Sequence, residues 1–349
     1  MPPWDPPWAP GAATGVGPMP GTDPREAARV VVGEVAVPHV PELPARGAGA
    51  DPAGRTAAML VDLHVDIHAG RWRLVPRPSA DERRARELLE RDLDALEEVA
   101  GSHAGPVKVQ AVGPWSLAAT LELARGEKVL ADHGAARELA ASLSEGLRLH
   151  VADVRRRLSR VAGVVVQIDE PLLPSVLAGT VPTASGWARL PRPEPAPAEQ
   201  ALAEILAAAG EDAGVRCDRL GAPLALFRRA GARFVGLDAR HLDTVPEEDL
   251  GQAIEEGMGV LLGLVPPPGR LPRHDDPADV AAELAGPARR VWNRLGLAEG
   301  HWDRVVVTPA TDLSELDLDQ AAAVLGCCTA TARSLQAPEG DTHAEELDP

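Results

Sequence analysis

Short apolar runs that are typical of β-strands recur along the chain, separated by stretches whose apolar residues have helical spacing. The eight strand-like runs span residues 13–17, 59–67, 107–112, 163–169, 214–217, 233–238, 259–265 and 304–308. Helical spacing is found at residues 81–99, 135–158, 199–209, 223–230, 246–256 and 277–295. Alternating strands and helices predict a parallel sheet with crossover helices. Eight rounds in about 300 residues favour closure into a (β/α)8 barrel, a fold of the α/β class.

The same pattern predicts one domain flanked by two short segments. Residues 1–11, rich in proline and tryptophan, are expected to form a disordered leader, and they lack the basic and apolar regions of a signal peptide. Residues 12–337 are expected to form the barrel, and the polar residues 338–349 a frayed tail. The proline-rich stretch at residues 191–197 is expected to be a loop or linker.

The charge balance is acidic, with 52 acidic and 35 basic residues and a net charge of −17 over 349 residues. Such a surface repels phosphate backbones and anionic lipids, so neither nucleic acid nor a membrane is expected as a partner. The apolar runs are also far shorter than the roughly 20 residues of a membrane-spanning helix. Three cysteines predict reduced thiols and a cytoplasmic protein, with the adjacent Cys327 and Cys328 in the core.

In a barrel, functional side chains lie where the strands end, on the C-terminal face. The glycine-rich stretch at residues 14–21 follows the first run and predicts either a ligand-binding turn or an ordinary strand-to-helix turn. Asp169 ends the fourth run and Glu170 follows it. Adjacent carboxylates at a buried strand end are costly unless a cation or a ligand meets them, which favours function over a simple cap. Gln110 and Trp115, near the end of the third run, are open to a binding or a structural role.

Some residues at the later strand ends are candidate metal ligands. Cys217 ends the fifth run, Asp238 ends the sixth, and His241 lies three residues further on. Such side chains on neighbouring strands could bind zinc, although an isolated cysteine is more often a small buried residue. His64 and His68 are rejected as a pair, because on a strand they would lie about 13 Å apart.

Several segments, in this order, resemble a known family. They are residues 13–21 (ATGVGPMPG), 109–117 (VQAVGPWSL), 166–172 (VQIDEPL), 234–238 and 305–311 (VVVTPAT). They resemble the C-terminal catalytic barrel of cobalamin-independent methionine synthase, and more closely the single-barrel actinobacterial-type members of that family. The likeness spans residues 12–335. It implies a (β/α)8 barrel, a fold that this family shares with uroporphyrinogen decarboxylase.

The resemblance implies methyl transfer to a homocysteine thiolate bound to zinc, with either a folate or a methylcorrinoid protein as methyl donor. By that resemblance Asp169 binds the amino group of the homocysteine or methionine-like substrate. Val16 and Gly17 match the turn that holds the carboxylate of the amino acid through its backbone. The next residue is Pro18 where the family has serine, and proline removes one N–H donor.

The family's zinc ligands are the histidine and cysteine of an H-x-C segment, a glutamate and a second cysteine. Val215 and Cys217 occupy the H-x-C positions, Asp238 the glutamate position, and Thr311 the position of the second cysteine. Two of the four ligand types are therefore lost, which weakens a zinc site strongly. Strand alternation places Val215 and Cys217 on one side of the strand and Arg216 on the other, without fixing which side faces the mouth.

The sequence leaves two alternatives to methyl transfer open. A non-catalytic barrel that binds a small amino acid or a thiol is favoured by the lost ligands at 215 and 311. A decarboxylase of the uroporphyrinogen type would need several arginines aimed into the barrel mouth. Most arginines lie in helical patterns instead, for example at residues 83–86 and 155–157, which makes this alternative the weaker one.

Overall fold

The computed structural model describes residues 4–297 and 299–337. Its strands are β1 (His64–His68), β2 (Arg71–Val75), β3 (Val107–Val112), β4 (Val164–Asp169), β5 (Ala213–Arg216), β6 (Phe234–Asp238), β7 (Gly259–Val265) and β8 (Val305–Pro309). Its α-helices are α1 (Pro24–Glu34), α2 (Pro52–Ala58), α3 (Ala80–Val99), α4 (Pro114–Ala118), α5 (His133–Arg157), α6 (Leu173–Leu177), α7 (Pro195–Ala209), α8 (Leu224–Arg229), α9 (Glu247–Glu255), α10 (Pro277–Leu295) and α11 (Leu318–Gln336). Short 3-10 turns lie at Pro44–Arg46, Val129–Ala131, Ala239–Thr244, Pro268–Arg270 and Glu299–Arg304.

Strands β3 to β8 form one parallel sheet in which each strand pairs with the next one along the chain. Helices connect most of these strands, as the alternation predicts. The β3–β4 register places Gln110 beside Gln167 and Val112 beside Asp169. The β4–β5 register then places Asp169 beside Arg216. Paired residues of a parallel sheet point to the same face, so this register decides which side chains meet.

Two short segments close the sheet into a barrel. In the first closing segment, residues 12–17, the N–H of Thr14 donates to the carbonyl of Val307 on β8 over 3.1 Å. In the second closing segment, residues 37–42, the N–H of Val40 donates to the carbonyl of Lys108 on β3 over 3.0 Å. The two segments are joined by the N–H of Val37, which donates to the carbonyl of Ala13 over 3.2 Å. The predicted (β/α)8 barrel is thereby confirmed.

The second predicted strand was wrong in its position. Residues 64–68 form β1 of an antiparallel hairpin with β2, apart from the barrel sheet. The second closing segment occupies the second barrel position instead. Pro38 and Pro41 break its apolar pattern and cannot donate to a hydrogen-bond ladder, which is why the sequence did not reveal it as a strand.

The segment before the barrel is packed rather than disordered from Trp4 onward. Trp4 and Trp8 are buried in a cluster with Phe234 and with side chains from several other strands, at the N-terminal end of the barrel interior. The rings of Trp8 and Phe234 meet edge to face with centroids 6.0 Å apart. The expectation of a disordered leader is therefore wrong for residues 4–11. Burial of the two large indole side chains stabilises this segment against the barrel. The expected tail, residues 338–349, lies outside the described residues.

The proline-rich stretch and the cysteines of the last helix differ little from what the sequence predicts. The proline-rich stretch is a loop only up to residue 194, because Pro195 begins α7 and proline is well suited to the first helical turn. Cys328 is buried in α11 and Cys327 is half-buried beside it. Across residues 4–297 and 299–337, no helix is both long and apolar enough to cross a lipid bilayer.

Candidate functional site

The barrel interior changes from apolar to polar toward the C-terminal ends of its strands. On β4, Val165 belongs to the apolar cluster around Trp8, whereas Gln167 and Asp169 follow on the same face. On β3, Lys108 and Gln110 lie on the corresponding face and are buried. Buried polar groups need partners, so this change marks the candidate site.

A single amide group links the turn after the first closing segment to the carboxylate predicted to bind the ligand. Nε2 of Gln167 donates to the carbonyl of Val16 over 3.0 Å and to Oδ1 of Asp169 over 2.9 Å. Oε1 of the same glutamine accepts from Nζ of Lys108 over 3.0 Å. The lysine therefore fixes the amide, and the amide holds Asp169 beside the turn.

Arg216 faces the mouth beside Asp169. One guanidinium nitrogen lies 3.6 Å from Oδ1 of Asp169, and another donates to Oδ2 of Asp218 over 2.9 Å. Gly236 on β6 provides the space, since a Cβ built there would lie 2.8 Å from the Cβ of Arg216. By strand alternation Val215 and Cys217 point to the opposite face, where both belong to the main apolar core.

The turn at residues 15–17 is buried and has unusual backbone geometry. Gly17 has φ +142°, in a region that favours glycine, and Gly15 lies so close to the ring of His39 that a Cβ would clash at 2.2 Å. Nε2 of His39 donates to the carbonyl of Gly17 over 3.1 Å. Among the described residues, no backbone carbonyl accepts a hydrogen bond from the N–H groups of Gly15, Val16 or Gly17. Buried N–H groups without acceptors are rare, which makes this turn a candidate anion site.

Burial dominates the electrostatics below the mouth. It lowers the pKa of Lys108 to about 7, although Asp169 and Glu42 oppose the shift. Burial also raises the pKa of Glu42 to about 7 and raises the pKa of Asp169. Gln110 bridges the first two groups, because its Nε2 donates to Oε1 of Glu42 over 3.1 Å while its Oε1 faces Nζ of Lys108 at 3.5 Å.

Glu170, the second carboxylate of the adjacent pair, has a structural role. It is buried and accepts hydrogen bonds from the N–H of Trp115 (2.9 Å), the N–H of Ser116 (2.8 Å) and the hydroxyl of Ser116 (2.6 Å). Gly113 leaves room for it, because a Cβ there would lie 2.4 Å from the carboxylate. These hydrogen bonds therefore join the ends of β3 and β4, through residues 113–116 (GPWS) and 169–171 (DEP). The indole of Trp115, on α4, donates to the carbonyl of Ala198 on α7 over 3.1 Å.

The residues present do not fit a zinc ion. Both oxygens of Asp238 lie 3.0 Å from Nε of Arg240, which occupies them as an ion pair. By strand alternation the buried side chain of Cys217 faces the main apolar core, away from Asp238, and burial there raises the pKa of its thiol. The half-buried Thr311 follows β8 at the remaining family position. Within the part of the chain that the structure describes, no group of three or more His, Cys, Asp or Glu side chains is arranged to hold a metal ion.

Several members of the site were not singled out from the sequence. His39 and Glu42 lie in the second closing segment, whose prolines hid it, and Asp218 follows the end of β5. Lys108 did leave a signal. The alternating stretch Val-Lys-Val-Gln at residues 107–110 places Lys108 and Gln110 on one strand face, and a polar face on a barrel strand is unusual unless it lines a site.

The comparisons with known proteins concern the fold. No protein-family model matches the sequence, and no curated protein matches it. Among solved structures, the chain is similar to a B12-independent methionine synthase from Shewanella sp. W3-18-1 in complex with selenomethionine, with 12% identity and a TM-score of 0.59. The match covers 93% of this chain and 97% of that chain. This likeness shows a shared (β/α)8 fold.

Two D-psicose 3-epimerase structures are also similar over 70% of this chain and 83% of theirs. One, with D-fructose, has 14% identity and a TM-score of 0.37. The other, from Clostridium cellulolyticum H10 with D-tagatose, has 13% identity and a TM-score of 0.38. A shared fold does not by itself define a function, so function has to be argued from the site.

Proposed function

We propose that the barrel mouth binds a small zwitterionic amino acid, such as methionine or homocysteine. The observation that carries this proposal is the amide of Gln167, which contacts both the Val16 carbonyl and Asp169. The ammonium and carboxylate groups of an α-amino acid are attached to one carbon atom. A site for one group must therefore lie beside a site for the other, and here an acidic side chain lies beside a turn rich in N–H donors.

Asp169 is the proposed partner of the ammonium group. Its side chain is 15% exposed at the mouth, so a ligand can reach it, and its surroundings are otherwise largely buried. The N–H groups at residues 15–17 are the proposed partners of the carboxylate. Pro18 contributes no N–H, so the turn offers fewer donors than the family pattern implies.

Methyl transfer to a homocysteine thiol is the second candidate. It is supported by the order of the sequence segments and by the fold shared with a B12-independent methionine synthase over most of both chains. Asp238 is paired with Arg240 and Cys217 faces the apolar core, so these side chains do not form a site for the zinc ion that would generate a thiolate, and no step through zinc is part of the proposal. Binding without catalysis therefore agrees better with the site.

Calorimetric titration tests the proposal. We expect L-methionine or L-homocysteine to bind the full chain. N-acetyl-L-methionine lacks the ammonium group and L-methionine methyl ester lacks the carboxylate, so each should bind at least about tenfold more weakly. Equal binding of the N-acetyl compound, or binding of none of the four, would overturn the proposal.

A separate assay distinguishes the two candidates. Homocysteine is incubated with the protein and either methyltetrahydrofolate or a methylcorrinoid, with and without added zinc, and methionine is quantified. We expect no methionine above the protein-free control. Catalytic formation of methionine would establish the second candidate instead.

A further inference from the structure

The ammonium site at Asp169 has a second cation within reach, the guanidinium of Arg216. We propose that Asp218 is a positioning residue that holds Arg216 away from Asp169 and so keeps Asp169 available to the ligand. This inference rests on the proposed function. It adds a specificity device, because the ammonium group of the ligand has to be a better partner for Asp169 than an arginine that is already present.

The two distances to Arg216 are unequal. The contact with Asp218 is a hydrogen bond of 2.9 Å, within the usual range for charged groups, whereas the nearest approach to Asp169 is 3.6 Å. Arg216 is therefore hydrogen-bonded to Asp218 and forms a longer ion pair with Asp169. All three side chains are partly exposed at the mouth.

Gln167 and Gly236 constrain the other parts of this group. Asp169 is held by Nε2 of Gln167, and the stem of Arg216 is confined over Gly236. Asp218 is thus the group that sets the direction of the guanidinium. Without it, rotation about the last side-chain bonds would bring the guanidinium onto Asp169.

The charges lead to the same conclusion. Arg216 and the two aspartates that it contacts carry a net charge of −1, which the more exposed Arg219, with its Nε 3.8 Å from Oδ1 of Asp218, offsets in part. If Asp218 is removed, Asp169 and Arg216 form a neutral pair that has no excess charge to attract an ammonium group. A closed Arg216–Asp169 pair would then exclude the ligand.

A double-mutant cycle tests the inference through the affinity for L-methionine. We expect Asp218→Ala to weaken binding about tenfold, and Arg216→Met to leave it unchanged or a few-fold tighter. In the Arg216→Met background, Asp218→Ala should have almost no further effect. The matched control is Glu199→Ala, which breaks the exposed ion pair with Arg229 and should not change the affinity.

Two outcomes of the cycle would overturn the inference. If Asp218→Ala weakens binding equally in both backgrounds, Asp218 contacts the ligand directly. If Arg216→Met itself weakens binding, Arg216 is a ligand contact rather than a competitor.

Crystal structures without ligand provide a second test. In the Asp218→Ala variant, Arg216 should close to about 2.8 Å from a carboxylate oxygen of Asp169. A guanidinium that stays at its wild-type distance contradicts the inference. If the wild-type protein binds no amino acid, the proposed function fails, and these structures still decide the positioning role of Asp218.

Discussion

Glu170 accepts hydrogen bonds from both the backbone N–H and the hydroxyl of Ser116, at 2.8 and 2.6 Å. Its neighbour Asp169 has no part in this contact, because consecutive residues at a strand end point to opposite sides. One acidic pair thus serves two purposes. Glu170 joins the ends of β3 and β4, and Asp169 faces the mouth.

Replacing Glu170 should reduce stability rather than ligand binding. Glu170→Ala leaves the N–H groups of Trp115 and Ser116 buried without an acceptor. We expect the free energy of unfolding to fall by about 2–4 kcal/mol in a urea titration. A variant as stable as the wild type would contradict the structural role assigned to Glu170.

The N-terminal segment should contribute to stability through its indoles. Trp8 is 4% exposed and packs edge to face on Phe234. Trp8→Ala should lower the free energy of unfolding by about 2–4 kcal/mol, since large cavities in a core cost about this much. The denaturation midpoint measures the effect. Pro7→Ala, in the same segment, is the comparison variant and should have a much smaller effect.

The barrel and six of its strands could be predicted because these segments are rich in valine and other apolar residues and alternate with stretches of helical spacing. The second closing segment could not, because Pro38 and Pro41 interrupt its apolar pattern and leave it with only a few backbone hydrogen bonds to its neighbours. The burial of Trp4 and Trp8 was equally hidden. Their burial depends on contacts with barrel strands that are distant in the sequence, and no local periodicity indicates such contacts.

For the site, the sequence indicated Asp169 and the glycine-rich turn through their places at strand ends, and the family resemblance then implied their roles. It did not reveal that Gln167 connects them, because that depends on the closure of the barrel across residues far apart in the chain. The direction of Arg216 also required the β4–β5 register. Side chains that meet across a barrel depend on strand register, which a single sequence does not contain.

The pH dependence of stability should reveal Glu42. Its pKa is raised from 4.5 to about 7 by burial, so between these values the folded state keeps a proton that the unfolded state has lost. This contribution to stability is present below pH 4.5 and is lost as the pH rises toward 7. The slope reaches up to about 1.4 kcal/mol per pH unit.

Glu42→Gln removes this titration while keeping an oxygen for Gln110. Unfolding free energies at pH 5 and pH 8 should therefore differ less in the variant than in the wild type, by about 1 kcal/mol or more. Burial also raises the pKa of Glu170, so part of the pH dependence of stability remains in both proteins. Identical pH dependence would show that Glu42 is not protonated in the folded state.

The metal content should be low. Asp238 is paired with Arg240, and Cys217 faces the apolar core, so we expect far less than one zinc ion per chain after dialysis, measured by mass spectrometry. Cys217→Ser should leave the zinc content and the affinity for methionine unchanged. If the protein holds one zinc ion per chain and Cys217→Ser removes it, the prediction is wrong and the metal site implied by the family resemblance is present.

The most direct test of the account is the affinity of the Asp169→Asn variant for L-methionine, measured by calorimetry beside its melting temperature. The substitution keeps the shape of the side chain and removes its charge. We predict a loss of about 10- to 100-fold in affinity, because a charged hydrogen bond of this kind contributes about 1.5–3 kcal/mol. The melting temperature should change little, because asparagine keeps an oxygen for Nε2 of Gln167 and Arg216 keeps its hydrogen bond to Asp218. Unchanged affinity in a protein that binds methionine would contradict the assignment of Asp169 as the ammonium site.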